Sequence, residues 1–342
     1  MNITRFTVEN ATDEYNAGIY LGNGVDYCNI SENTASNNYY GIYLRSSCSN
    51  NLTNNTANSN IWDGIFLYSS SNNNKLSNNT ANSNIWYGIL LMSSNNNTLS
   101  GNTANSNNRA GICLSCIFQH PSSSNNSLSN NTATNNDNGI FLDSSSSNNS
   151  LTNNTANSNT WNGIYLKSSS NYNTLTENTA SHNYDGISLW DSNNNNLTNN
   201  TAYNNDNGID LCDADDNNIT CNWVAHNDER GFYLSGGSTG NNISYNNIMH
   251  NGELQADGSY HWNFYNGQTD PVDAKHNYWV ATTNETIDPS IYDNEDGKGE
   301  VTFYPFETIP PPCAPIPELA TIVLFGVGLL TLAGYVGLRK RF

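Results

Sequence analysis

Chemistry in this chain would have to come from few groups, because only 12% of its residues are charged. Two pairs of carboxylates recur one repeat apart: Asp191 with Asp213, and Asp206 with Asp228. Asp210, Asp215 and Asp216 lie nearby, and Arg230 is the one cation beside them. Equivalent residues of successive coils would stack about 4.8 Å apart. That separation suits a retaining glycosidase pair, whose carboxyls stand about 5 Å apart, or a set of shared calcium ligands. Asp191, Asp210 and Asp213 are therefore the candidate catalytic residues, set against the ordinary role of Asp in turns. His226 and His250 also occupy equivalent positions and could share a copper or zinc ion. No third ligand has a matching position, so stacked surface imidazoles are the simpler account. No cofactor is expected; calcium stays open and copper is disfavoured.

The residues that would carry these groups belong to a repeat. Ten copies of Gly-Ile-x-Leu, with Phe for Ile in the last, begin at Gly18, Gly41, Gly64, Gly88, Gly111, Gly139, Gly163, Gly186, Gly208 and Gly231, at spacings of 22 to 24 residues and one of 28. Each is followed by a Leu or Ile (Ile30, Leu52 and so on to Ile243) and, three residues later, by an Asn (Asn33 to Asn246). Two further on comes a small or apolar residue (Ala35 to Ile248), then, three later, a second Asn (Asn38 to Asn251). A fixed period of this length with two-residue alternation and no helical stretch predicts a β-solenoid. The fold class is all-β, a single-stranded right-handed parallel β-helix of about ten regular coils, with a C-terminal transmembrane helix. Inside it the aliphatic positions form the core and the two Asn columns form amide ladders, since a buried amide is costly unless paired.

The outward position within Gly-Ile-x-Leu is mostly aromatic. Tyr20, Tyr43, Phe66, Phe141 and Tyr165 read as an exposed stripe, flanked one loop earlier by Trp62, Trp86 and Trp161. Aromatic faces stack on sugar rings, so these are the candidate glycan-binding residues; cross-strand stacking that merely stabilises the sheet is the alternative.

Boundaries follow from where the pattern changes. Residues 1–251 are the repeats, 252–307 degenerate coils and an aromatic cap, and 308–318 a Pro-rich linker. An apolar span at 319–338 is long enough to cross a bilayer, and 339–342 is a basic tail. Arg339, Lys340 and Arg341 would stay in the cytoplasm and leave the body outside, at the cell surface or in the periplasm. Ile3, Phe6 and Val8 read as half a coil, and no export signal precedes them, so an N-terminal portion is expected to be missing. The net charge of −19 disfavours a nucleic-acid partner and leaves polysaccharide open. Of seven cysteines, Cys28 with Cys48 and Cys212 with Cys221 are disulfide candidates in an oxidising compartment, and Cys113 and Cys116 form a lone CxxC.

Segments such as Asn51-Leu-Thr-Asn-Asn-Thr-Ala57 followed by Gly64-Ile-Phe-Leu67, together with Phe6-Thr-Val-Glu-Asn10 and Asp273-Ala-Lys-His-Asn-Tyr-Trp279, resemble the NosD-like right-handed parallel β-helix repeat proteins of the carbohydrate-binding and sugar-hydrolysis type. The resemblance covers residues 1 to 306 and implies the fold; the fold hosts many functions. The tail, with Pro315, Pro317 and Glu318 before the apolar span and Arg339, Lys340 and Arg341 after it, is similar to PEP-CTERM or PEF-CTERM sorting signals and implies a sortase-like processing enzyme as a partner. Leu319 stands where Pro or Phe is usual in that signal. The first functional expectation is a membrane-anchored, non-catalytic surface rod that touches glycans. The second is a carbohydrate-active enzyme, a lyase or glycosidase, using the Asp cluster. The third is a periplasmic copper-binding protein.

Overall fold

The structure, a computed structural model, describes residues 1–115, 122–256 and 258–314. Each coil gives one short strand to a 12-stranded parallel sheet running from Ala17–Leu21 to Ile291–Tyr292, and one to an 11-stranded sheet running from Asn2–Thr4 to Asn242–Ser244. The third side begins with Thr7–Val8 paired to Thr34–Ala35 and continues as single bridges joining Thr34, Thr56, Thr80, Thr103, Thr132, Thr155 and Thr179. It widens into a four-stranded sheet from Thr179–Ser181 to Asn247–Met249. Among the described residues, helix is confined to Asn284–Ile287 and two 3-10 turns in the cap.

Register is like on like. Ile65 pairs with Ile89 and Leu67 with Leu91, and the same columns continue through Ile112 and Leu114. These aliphatics are buried, as are Leu52, Leu76 and Leu99 of the second sheet and Ala57, Ala81 and Ala104 of the third side. Each aliphatic so buried stabilises the rod by roughly 1.5–3 kcal/mol. The third side uses Ala because it closes against the glycines: a Cβ on Gly64 would stand 2.7 Å from the Ala57 carbonyl oxygen, the Asn84 amide nitrogen and the Gly88 carbonyl oxygen. The glycine of Gly-Ile-x-Leu is thus fixed by close approach of backbones.

At both corners beside the Ala column the Asn side chains form continuous ladders. Asn131 is typical. Its Oδ1 accepts from the backbone N–H and the side-chain amide of Asn102, and its own amide donates to Asn154 Oδ1 and to the Leu99 carbonyl. The residue before each ladder Asn is left-handed, for example Asn54 at φ 56° and Ser59 at φ 56°. Asn tolerates that conformation well, which helps explain the composition. A third ladder, Asn50 through Asn74, Asn97, Asn126, Asn149, Asn173, Asn195 and Asn217 to Asn241, runs along the corner before the 11-stranded sheet.

The repeat does not stop at Asn251. Phe264–Asn266 pairs with Arg230–Ser235, and Ile291–Tyr292 pairs with Phe264–Asn266. The first ladder continues from Asn246 to Asn277 and the second from Asn251 to Asn263. The columns survive while the connections change length, which hides them from a fixed-period reading.

The cysteine pairing differs from expectation. Cys221 is bonded to Cys313, 92 residues away, and Cys28, Cys48 and Cys212 are free. The bond ties the Pro-rich segment before residue 315 to the wall of the rod, and leaves Cys212 without the nearby partner that sequence proximity suggested. Pro315, Pro317, Glu318, the apolar span 319–338 and Arg339, Lys340 and Arg341 lie outside the described residues; among the described residues no helix is long and apolar enough to cross a membrane.

Candidate functional site

The outward face of the 12-stranded sheet divides into two halves. In the N-terminal half the aromatic column is covered. Tyr20, Tyr43 and Phe66 stack at 5.3 and 5.0 Å, and the preceding loops lay Tyr39, Trp62 and Trp86 in a second stack beside them, at 5.7 and 4.4 Å. Tyr40, Tyr87, Leu90, Met92 and Cys113 complete a closed apolar cluster, so Phe66 is only 5% exposed. The expected open stripe is therefore a satellite core over these coils, with Tyr20 exposed at its end. Asp63 lies beneath it, fully buried. It accepts from the Tyr87 N–H, its other oxygen has no partner, and burial pushes its carboxyl up to about 8.

In the C-terminal half the face opens. Phe141 stacks on Tyr165 at 5.0 Å, and Trp161, Tyr184 and Trp190 are exposed along its margins. A cavity of about 330 Å³ is lined by Tyr87, Arg109, Asp137, Phe141, Trp161 and Lys167, among others. Three cations lie along this half or at its border with the closed one, each against an aromatic ring. Arg109 lies 5.1 Å from the Trp86 ring centre, Lys167 lies 5.3 Å from that of Trp190, and Arg230 lies 4.7 Å from those of both Tyr233 and Tyr265.

Two carboxylates converge between these cations. Asp185 pairs in register with Asn207 and Asn207 with Arg230, while Ser188 pairs with Asp210 and Asp210 with Tyr233. The side chains form a chain of contacts: Asn207 donates to Asp185 Oδ1 at 2.9 Å, and Arg230 donates to Asn207 Oδ1 at 3.1 Å and to Glu229 at 3.0 Å. Ser188 donates to Asp210 Oδ2 at 3.0 Å. Burial holds both Asp185 and Asp210 above the ordinary carboxylate range. The negative charge of Asp185 adds to the effect on Asp210, and Arg230 opposes it at both. Carboxyls raised in this way keep their protons to higher pH than exposed ones do. Asp210 Oδ1, Arg230 Nε and Asn162 Oδ1 are buried here without a hydrogen-bond partner among the described residues. A face with paired-up charge, aromatic rings and unmet polar atoms is built to meet a ligand rather than to close a core.

Of the sequence candidates, only Asp210 belongs to this cluster. Asp191 and Asp213 are in equivalent places one coil apart, as expected, but both sit in left-handed turn positions, φ 48° and 49°, and are exposed. Asp206 borders the cluster from the preceding loop, and burial raises its carboxyl as well. His226 and His250 do stack, with ring centres 5.2 Å apart, and both occupy left-handed corner positions, φ 56° and 55°. Asp185, Asn207 and Arg230 share one position, the residue immediately before the repeat glycine. Tabulating that position, which holds Asp63 as well, would have added Asp185 and Asn207 to Arg230.

Two family models match the chain: the right handed beta helix region over residues 17–180, and the periplasmic copper-binding protein NosD over residues 117–284. No curated protein matches it. Among solved structures, it is similar to the A-modules of two Azotobacter vinelandii mannuronan C-5 epimerases. The first, AlgE4, is 15% identical with a TM-score of 0.61, covering 85% of this chain and 84% of that one. The second, AlgE6, is 16% identical with a TM-score of 0.54, and this chain spans 64% of its length. At these identities the likeness is one of fold. The copper in the family description finds no donor set here: the His226 and His250 rings only stack, and among the described residues no group of three or more His, Cys, Asp or Glu could hold a metal. With the in-register columns, the Asn ladders and both family matches in place, the chain is a right-handed parallel β-helix that is similar to the NosD family over residues 117–284.

Proposed function

We propose that this β-helix binds an acidic polysaccharide along the open half of its 12-stranded sheet, from Arg109 to Tyr292, outside the cytoplasm and tethered through its C-terminal tail. The observation that carries the reading is the set of three cations, each held against an aromatic ring. The chain has only eight Lys and Arg before its C-terminal tail and a net charge of −19, yet Arg109, Lys167 and Arg230 share one face. A cation beside a ring offers a sugar carboxylate a counter-charge and the sugar ring a stacking surface. The field of the rest of the molecule would exclude polyanions that lack this local match. The epimerase modules of similar fold are named for mannuronan, a carboxylated glycan, which agrees with the class.

A second reading has its own support. Asp185 and Asp210, both held by burial above the ordinary carboxylate range beside Arg230, have the makings of acid–base groups, so the bound glycan could also be processed.

Both are tested by titrating the full chain with alginate, polygalacturonate and a neutral glucan, with and without calcium, while assaying new reducing and unsaturated ends. Binding of an acidic chain is expected to weaken about tenfold or more in Arg230→Ala, with the neutral glucan at least as weak throughout. Equal binding of neutral and acidic chains, or no effect of Arg230→Ala and Lys167→Ala together, would overturn the binding reading. Products that vanish in Asp210→Asn would establish the enzymatic one, and their absence with every glycan would end it.

A further inference from the structure

The cap contains a second concavity whose chemistry is the opposite of the sheet face. A cavity of about 440 Å³ lies between the end of the third side and the short helix Asn284–Ile287, with His250, Tyr260, Trp279, Thr282, Glu285 and Thr286 in its wall. Its volume is in the range of small-ligand sites. Among the described residues no Lys or Arg lines it.

Trp279 supplies the telling observation. It is 2% exposed, packed into the core against Phe264 and Phe303, and its indole N–H is buried with no acceptor among the described residues. A buried Trp N–H ordinarily finds a partner, because leaving a donor unmet is costly. The other groups of the wall are mixed. His250 is held below the ordinary imidazole range by burial and by His226, so at neutral pH it presents one donor and one acceptor. Tyr260 offers a ring 5.0 Å from that of His250. Glu285 is held below the ordinary carboxylate range, chiefly by its own backbone N–H and then by Thr283, and is an ionised acceptor.

A carboxylated sugar would meet Glu285 with nothing to offset it. A neutral sugar has what the wall lacks: an oxygen for the Trp279 N–H, hydroxyl hydrogens for Glu285, and an apolar ring face for Tyr260. We propose that this cavity is a binding site for one neutral hexopyranose unit, separate from the sheet face and independent of what the face binds.

The test is calorimetry and saturation-transfer NMR of the full chain with the methyl glycosides of glucose, galactose, mannose and N-acetylglucosamine, and with glucuronate. At least one neutral glycoside is expected to bind, glucuronate at least about tenfold more weakly. Trp279→Phe, which keeps a ring and deletes the N–H, should weaken binding about tenfold. Glu285→Gln should weaken it several-fold, and Arg230→Ala on the sheet face should leave it unchanged. Should Trp279→Phe fail to fold, Glu285→Gln carries the test, because that side chain is exposed. No binding of any neutral glycoside up to about 50 mM, stronger binding of glucuronate, or unchanged binding in the folded variants would overturn the proposal.

Discussion

At the corner that holds Asn102, Asn131 and Asn154, every side-chain amide donates to the next Asn and to a backbone carbonyl, and every Oδ1 accepts twice. On the open half of the 12-stranded sheet, Asp210 Oδ1, Arg230 Nε and Asn162 Oδ1 are just as hidden from water and have no partner among the described residues. The same rod therefore buries polar groups in two ways. Where the polar atoms are met, deletion should cost stability and nothing else. Where they are unmet, the fold carries a cost that a ligand could relieve, and deletion should cost binding while leaving stability unchanged or improved.

The largest expected effect tests the ladder. Asn131→Leu is close in size but strands the Asn102 backbone N–H and amide and the Leu99 carbonyl, at about 1–3 kcal/mol each. Urea denaturation followed by circular dichroism should show a loss of several kcal/mol or no folded protein; a loss under about 1 kcal/mol would remove the distinction between the two regions.

Asp63 sharpens the comparison, because it is an unmet group that faces no ligand, sealed beneath Tyr40, Trp62 and Tyr87. Its unfolded carboxyl ionises near pH 4, while the folded one does so at about 8. Between those values the folded state holds more protons, so stability contributed by the neutral form is fully present at low pH and falls as pH rises, at about 1.4 kcal/mol per pH unit. Asp63→Asn keeps an acceptor for the Tyr87 N–H and removes the titration. The variant should be more stable than the parent at pH 8, with a flatter stability profile from pH 4 to about 8; an unchanged profile would mean that water reaches Asp63.

The smallest effect on stability is expected at the site itself. Asp210→Asn removes one of the two raised carboxyls and should leave the denaturation midpoint unchanged or slightly raised. In the parent, full ionisation of Asp185 and Asp210 above neutral pH makes the face more negative, so affinity for an acidic glycan should fall as pH rises from about 5 to about 8. In the variant that fall should be shallower. A midpoint lowered by as much as in Asn131→Leu would make Asp210 a structural residue like the ladder amides.

Much of the architecture is legible in the amino-acid order. Gly64, Ile65, Leu67, Leu76, Asn79, Ala81 and Asn84 recur at almost fixed offsets, so their columns follow from the period alone. The third Asn ladder is harder to see, because Asn50, Asn74 and Asn97 lie within runs of Ser and Asn in which any one residue looks like its neighbours. The Cys221–Cys313 bond joins a coil to a segment outside the repeat, where no period applies. For the site, Asp210 was visible as an outward position, but its tie to Asp185 was not, since Asp185 precedes its glycine by one residue and Asp210 follows its own by two.

What the sequence alone determined is therefore everything that repeats: stacking like over like relates each coil only to the next, and a constant offset encodes it. What only the tertiary structure decided is which unlike positions meet across coils and which of them stay open. Loops bearing Tyr39, Trp62 and Trp86 close one half of the sheet face while the other half, which holds Asp185, Asp210 and Arg230, leaves Trp161, Tyr184 and Trp190 exposed along its margins. That outcome depends on how side chains of different coils pack over one another, a relation that no single repeat contains.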